Sequence, residues 1–405
     1  MLWPDPAGRM EVPMKYDFDK LTNRSNTFSM KWDVKENELP MWVADMDFET
    51  APVIADAIRR KAEHAIFGYT IVPDAYYDAV VGWWAKRHRF HMEKEWIIFA
   101  SGVVPAISSI VRKMTRVGEN VLIQPPVYNI FYNSILNNGR FLTENRLIYQ
   151  DGEYHIDFVD LEQKLSNPQT TMMILCNPHN PVGKVWDKDI LNKIGKLCAR
   201  HMVLVLSDEI HCDLTHPGVD YTPFASVSDI CAVNSITCTA PSKTFNLAGL
   251  QSANVIVPNP ILCQMVKRGL NTDEAAEPNA FAMEAAIAAY TEGDEWLEEL
   301  RIYIKKNVDT VTAFIGQNIP EIKVTRSEAT YLLWLDCQDI IHGEPSVLCD
   351  VIRRETGLYL SAGAAYGGNG NDFLRMNVGT QHCRVSDGLK RLQKGILKYR
   401  ENVAD

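Results

Sequence analysis

Six short apolar runs of strand length, at 96–100, 120–123, 172–176, 202–206, 234–239 and 253–257, are spaced along the chain. Most are separated by stretches of helical periodicity such as 104–114 and 190–200. This alternation constrains the fold more than any other feature, because strands joined through helices pair in parallel and build an α/β domain with a mostly parallel sheet. Helical spacing begins earlier, with Val53, Ile54, Ala57 and Ile58 in 51–64 and a second amphipathic stretch over 76–87. Residues up to Pro40 show no clear period and read as an arm lying on another part of the molecule. Beyond about Pro278 the texture changes to a long helical pattern over 295–315, strands at 322–325 and 331–335 and a terminal helix after Val385, which reads as a smaller α+β domain. The expected division is an N-terminal arm and part of the small domain over 1–50, a large domain over 51–285 and the small C-terminal domain over 286–405.

Apolar residues make up 46% and charged residues 23% of the 405, close to folded soluble proteins, so disorder and low-complexity architectures are excluded. The 41 Lys and Arg against 51 Asp and Glu give a net charge of −10, the wrong sign for nucleic acid or an anionic membrane as partner. No run of 18 apolar residues occurs, and the first residues lack the basic and apolar segments of a secretory signal, so the cytoplasm is the expected location. Nine cysteines, an odd number, are scattered through apolar runs (Cys198, Cys238, Cys263, Cys349) without framework spacing, as reduced core thiols are.

Four features fall where strands end, and ligands of open α/β sheets bind outside the carboxyl ends of the strands. Ser101-Gly102-Val103-Val104 joins a strand to a helix and can point backbone N–H groups at an anion, or be a plain turn. Asn177-Pro-His-Asn180-Pro-Val-Gly183 fixes an irregular backbone, either as a rigid turn or to offer the Asn180 amide to a ligand oxygen. Ser207-Asp208-Glu209 follows a buried run, so Asp208 either caps a helix or lies under a ligand's positive nitrogen. Ser242-Lys243-Thr244-Phe245-Asn246 carries a lysine that, at the floor of an apolar cleft, can lose its proton and attack carbonyls. A lone lysine is ordinarily a solvated surface charge; the order and spacing of all four features argue otherwise.

Together with Phe373-Leu-Arg375-Met-Asn377, these motifs resemble the fold type I enzymes that use pyridoxal 5′-phosphate (PLP), the aspartate aminotransferase superfamily, over about residues 16 to 402. Met41-Trp42-Val43-Ala44-Asp45-Met46-Asp47-Phe48, Phe67-Gly68-Tyr69-Thr70 and Asp208-Glu-Ile-His211 look most like the MalY/PatB type of cystathionine β-lyase, or C–S lyase. The resemblance implies a large domain around a mostly parallel seven-stranded sheet and a smaller α+β domain. It implies Lys243 as the lysine that holds PLP through a Schiff base, Asp208 as the carboxylate that keeps the pyridine nitrogen protonated, and Tyr128 as the aromatic on the ring face. Asn180 matches the donor to the ring hydroxyl, and Gly102, Val103, Val104 and Ser242 the phosphate cradle, with His211 beside the cofactor. Arg375 matches the arginine that forks the substrate α-carboxylate, near Asn180. Tyr69 matches a tyrosine that reaches phosphate and substrate from a neighbouring subunit, which implies a homodimer with shared sites.

The reaction implied is α,β-elimination on an amino-acid substrate, cystathionine or another cysteine S-conjugate, giving a thiol, pyruvate and ammonia. The alternatives are a class I/II aminotransferase, or a PLP-binding protein whose main role is regulatory protein binding. His211 stands where many aminotransferases carry a tyrosine, and Gln251 where they carry a phosphate-binding arginine; both favour the lyase. A zinc site from Cys176, His179, His211 and Cys212 is disfavoured, since adjacent ligands lack the usual spacing, and no metal is expected. His211 and His216 also read simply as loop residues, Trp83, Trp84, Phe131 and Tyr132 as core, and the charges from Arg391 to Glu401 as a solvated helix face.

Overall fold

The computed structural model describes residues 14–341 and 345–404. Seven strands form the large sheet in the order Ile97–Ala100, Ala253–Ile256, Ser235–Thr239, Leu204–Asp208, Thr170–Cys176, Asn120–Ile123 and Phe141–Glu144. Ala253–Ile256 runs against both its neighbours, and the remaining pairings are parallel. Met172 to Cys176 are all buried, as expected of a strand covered by helices on both faces. Six of these strands match the apolar runs. The seventh, Phe141–Glu144, lies at the sheet edge, with Phe141 exposed and the rest half-buried, so it has no continuous apolar run to betray it.

Helices cover the sheet because each carries one apolar stripe. In Val103–Met114 that stripe is Val103, Ala106, Ile107, Ile110 and Val111, packed with the sheet residues Ala100, Ile123 and Ile174 in one buried cluster.

The smaller sheet is antiparallel, in the order Lys323–Val324, Leu332–Asp336, Phe373–Asn377, Ser361–Ala362, and sets Trp334 opposite Arg375 and Leu332 opposite Asn377. Helices Asp294–Asn318, Pro345–Thr356 and His382–Ala404 accompany it. The arm lies on this half of the molecule: Leu39–Pro40 pairs in parallel with Leu358–Tyr359, and Phe18 packs against Phe48, Trp296 and Tyr303. Leu39, Met41, Met46 and Phe48 share one apolar cluster with the small sheet and with helices Pro52–His64 and Asp74–His88. Trp83, Trp84 and Phe131 are core, whereas Tyr132 is half-buried and donates to Glu144 Oε1 at 3.1 Å. The terminal helix is not simply solvated along its charged face, because Arg391 donates to the carbonyls of Asn37 (2.7 Å) and Thr356 (3.0 Å).

Candidate active site

Three parallel strands end at one level, since Cys176 pairs with Asp208 and Asp208 with Cys238. Chain leaving them delivers Asn177 to Asn180, Asp208 itself, and the short helix Pro241–Thr244 that carries Lys243. From Ile97–Ala100 the chain turns through Gly102 into the twelve-residue helix Val103–Met114, whose N-terminal N–H groups have no helical partners. The small sheet adds Arg375, and the arm adds Trp42 to Met46. All four strand-end motifs therefore lie along the carboxyl ends of the large sheet.

Lys243 is half-buried and donates from Nζ to the Ala44 carbonyl at 2.7 Å. Burial brings its pKa down to about 8; the Arg375 charge acts the same way, and Asp45 and Asp208 oppose it. Asp208 is 4% exposed, and burial raises its carboxyl to about 7 against the pull of the Ile210 N–H (3.2 Å) and of Lys243. Tyr128 is pushed up to about 12 by burial and then by the Asp208 charge, with Arg375 opposing. Burial, reinforced by Lys243 and Arg375, depresses His211 to about 3, so its imidazole is neutral, and its buried Nδ1 has no partner among the described residues.

Arg375 Nη1 donates to Asn180 Oδ1 at 3.2 Å and Nη2 to the Trp42 carbonyl at 2.8 Å. Its guanidinium sits 4.9 Å from the centroid of the Tyr366 ring, and its buried Nε has no partner among the described residues. Sequence reasoning assigned no role to Asn377, Tyr331 or Tyr366, all of which shape the site. Asn377 lies two residues after Arg375 on one strand, hence on the same face, and donates to the carbonyls of Val43 and Asp45. That period of two was a readable signal. The Tyr331 hydroxyl donates to the Ala44 carbonyl at 3.0 Å, and nothing local in the sequence announced it.

Behind Lys243, buried Asp213 accepts from Thr244 (3.1 Å) and Trp83 (3.1 Å), contacts His88 Nε2 at 2.8 Å and pairs with Arg87 at 3.2 Å. The lysine helix is thereby pinned to helix Asp74–His88. His211 and His216 lie outside helices and strands, as expected of loop residues, and both are buried, with His216 Nε2 3.0 Å from the Thr330 carbonyl. His179 Nε2 points at the Pro126 carbonyl (2.9 Å), and among the described residues Cys176, His179, His211 and Cys212 do not gather as metal ligands. Cys212 groups with His88 and Asp213, where Arg87 already answers the Asp213 charge. Gln251 is exposed. Tyr69, at 109% relative exposure, lies outside the buried site of its own chain.

The sequence model for the aminotransferase class I and II family matches residues 37–392. The chain belongs to that family. Within it the chain is 43% identical to cystathionine β-lyase PatB of Bacillus subtilis, over 94% of this chain and 100% of the relative. It is 31% identical to protein MalY of Escherichia coli, over 95% and 100%. Its structure matches cystalysin from Treponema denticola, which contains a pyridoxal 5′-phosphate cofactor, with a TM-score of 0.92 at 33% identity, covering 95% of this chain and 99% of that one. Family membership extends from the strand-end motifs to the arm and the small sheet, so the parts that meet around Lys243 all lie inside the matched region.

Proposed function

We infer that this chain is a PLP-dependent carbon–sulfur lyase, cleaving cystathionine or another cysteine S-conjugate to a thiol (homocysteine from cystathionine), pyruvate and ammonia. The observation that carries the reading is the convergence of a lysine of reduced proton affinity, a buried strand-end carboxylate and an arginine whose buried Nε has no partner among the described residues. The names of PatB and of the solved relatives described as C–S lyases support the same reading.

The residues fit PLP group by group. Gly102, Val103 and Val104 at a helix N-terminus, with the Ser242 hydroxyl, suit a phosphate. Asp208 suits a ring nitrogen, Asn180 a ring oxygen and Tyr128 a ring face, and the buried Nδ1 of neutral His211 has no partner among the described residues. When bound, PLP draws electrons away from the substrate Cα, which makes the Cα proton acidic.

The chain's own residues supply the rest. Asp208, whose carboxyl titrates near neutrality by itself, ionises opposite a protonated nitrogen. Arg375 forks the α-carboxylate, a bidentate pairing that lysine does not reproduce. Lys243 Nζ, aimed by the Ala44 carbonyl, takes the Cα proton, and a pKa of about 8 leaves part of the amine neutral at physiological pH.

The reading includes a cytoplasmic homodimer, with no nucleic acid or membrane as partner; among the described residues no helix is long and apolar enough to cross a membrane. Ile66, Phe67, Tyr69 and Ile71 are all exposed, an apolar strip of the kind a second copy covers, with Tyr69 reaching the partner's phosphate and substrate. The test is to offer cystathionine and a panel of S-substituted cysteines without a keto acid. Equal yields of thiol and pyruvate are expected; silence across the panel, with rapid amino-group exchange once 2-oxoglutarate is added, would replace the lyase by the aminotransferase.

A further inference from the structure

The segment from Trp42 to Met46 crosses the site with every carbonyl taken. Trp42 accepts from Arg375 (2.8 Å) and Ser361 (3.1 Å), Val43 from Asn377, and Ala44 from Lys243 (2.7 Å) and Tyr331 (3.0 Å). Asp45 accepts through its carbonyl from Asn377 (2.7 Å) and Lys31 (3.1 Å), and Met46 from Arg24 (3.0 Å) and Asn246 (2.9 Å). A backbone held at five successive carbonyls gives the Asp45 side chain little freedom.

The two carboxylates of this segment are served differently. Asp47 is saturated: buried Lys31 reaches Oδ2 at 2.8 Å, while Arg24 (2.8 Å) and the Trp32 indole (2.7 Å) reach Oδ1. Asp45 is clamped at Oδ2, which accepts from Arg24 Nη2 at 2.7 Å, and its buried Oδ1 has no partner among the described residues. A carboxylate oxygen kept dry and unpaired is costly unless a positive group answers it. Asp45 adjoins Ala44, whose carbonyl holds the lysine.

We propose that Asp45 is a positioning residue for Lys243: clamped by Arg24, its carboxylate faces the lysine nitrogen, holds positive charge there and keeps the amine on the Ala44 carbonyl. The proposal rests on Lys243 being the cofactor lysine. The groups whose charges act on Lys243 are Asp45 and Asp208, which favour its protonation, and Arg375, which opposes it; neutral His211 feels the lysine's charge, and Tyr331 shares the Ala44 carbonyl. Of the two acids, Asp45 has the larger effect.

The experiment is a pH titration of the visible absorbance of the cofactor–lysine linkage in the holoenzyme. Asp45→Asn should lower the midpoint by about one pH unit, a tenfold loss of proton affinity and the small end of what an unlike neighbour produces. Asp45→Glu should recover most of it. Asp47→Asn, which removes a carboxylate saturated by other partners, should lower the melting temperature yet leave the midpoint within about 0.2 unit, a shift too small for a lost facing charge. Asp45→Ser is the second neutral variant, expected to behave as Asp45→Asn. An unchanged midpoint in either neutral variant that folds, or an equal fall in Asp47→Asn, overturns the proposal. The underlying reading fails separately, if the unmodified holoenzyme has no visible band or if borohydride labels another lysine.

Discussion

Arg375 and Asn180 meet at 3.2 Å between Nη1 and Oδ1, although one belongs to the antiparallel small sheet and the other follows a parallel strand of the large sheet. The hydrogen bond joins the two halves of the molecule and fixes the guanidinium, while Nε has no partner among the described residues. Arg375→Lys keeps the charge but loses the planar fork. It should reduce kcat/KM for cystathionine by roughly 10²-fold, about the loss of one bidentate charge-assisted pairing, with cofactor content unchanged. Steady-state kinetics beside cofactor absorbance checks this; an equal loss of cofactor would make Arg375 a cofactor ligand instead.

Asp208→Asn should separate stability from chemistry. The Asp208 carboxyl titrates near 7 in the folded chain and near 4 when unfolded, so between those values the folded state holds more protons. Stability present below about pH 4 is therefore lost as pH rises through 7. In cofactor-free protein at pH 8 the amide variant should be more stable by up to roughly 4 kcal/mol, with the difference gone near pH 4. Glu209, also raised to about 7 by burial, keeps part of the slope in the variant. With cofactor, the variant should turn over at least about 10²-fold more slowly, since a neutral amide does not hold the ring nitrogen's proton. Denaturant melts at several pH values and turnover rates decide both halves; near-normal turnover would return Asp208 to a capping role.

Much of this site was legible because its parts sit at strand ends, where an apolar run gives way to Asp208 or leads to Lys243 within a few residues. The parallel core could be read from the same runs. The edge strand at Phe141 could not, since half its surface is wet. Tyr331 was hidden for another reason: it acts through the Ala44 carbonyl of the arm, and a carbonyl leaves no mark in a sequence. The burial of His211 and His216 was hidden too, because it depends on what lies over them in the folded chain.

Lys243→Ala should lose at least about 10³-fold in turnover, as expected when one residue both holds the reacting group and moves its proton. Borohydride reduction of the unmodified holoenzyme followed by peptide mapping should place the label on the peptide containing Lys243 and on no other.

Tyr69 tests the shared site. Mixing Tyr69→Phe with Lys243→Ala subunits should give hybrid dimers with one site in which both residues are intact, and activity should rise above that of either parent. No gain after verified subunit exchange would mean that each site is built within one chain.

The most direct test of the central claim is a single reaction of the holoenzyme with cystathionine, with 2-oxoglutarate present, in which homocysteine, pyruvate, ammonia and glutamate are quantified together. Homocysteine, pyruvate and ammonia are expected in equal amounts, at a rate that does not depend on the keto acid, with little glutamate. Glutamate formed at the rate of substrate loss, with the C–S bond intact and no pyruvate, would contradict it.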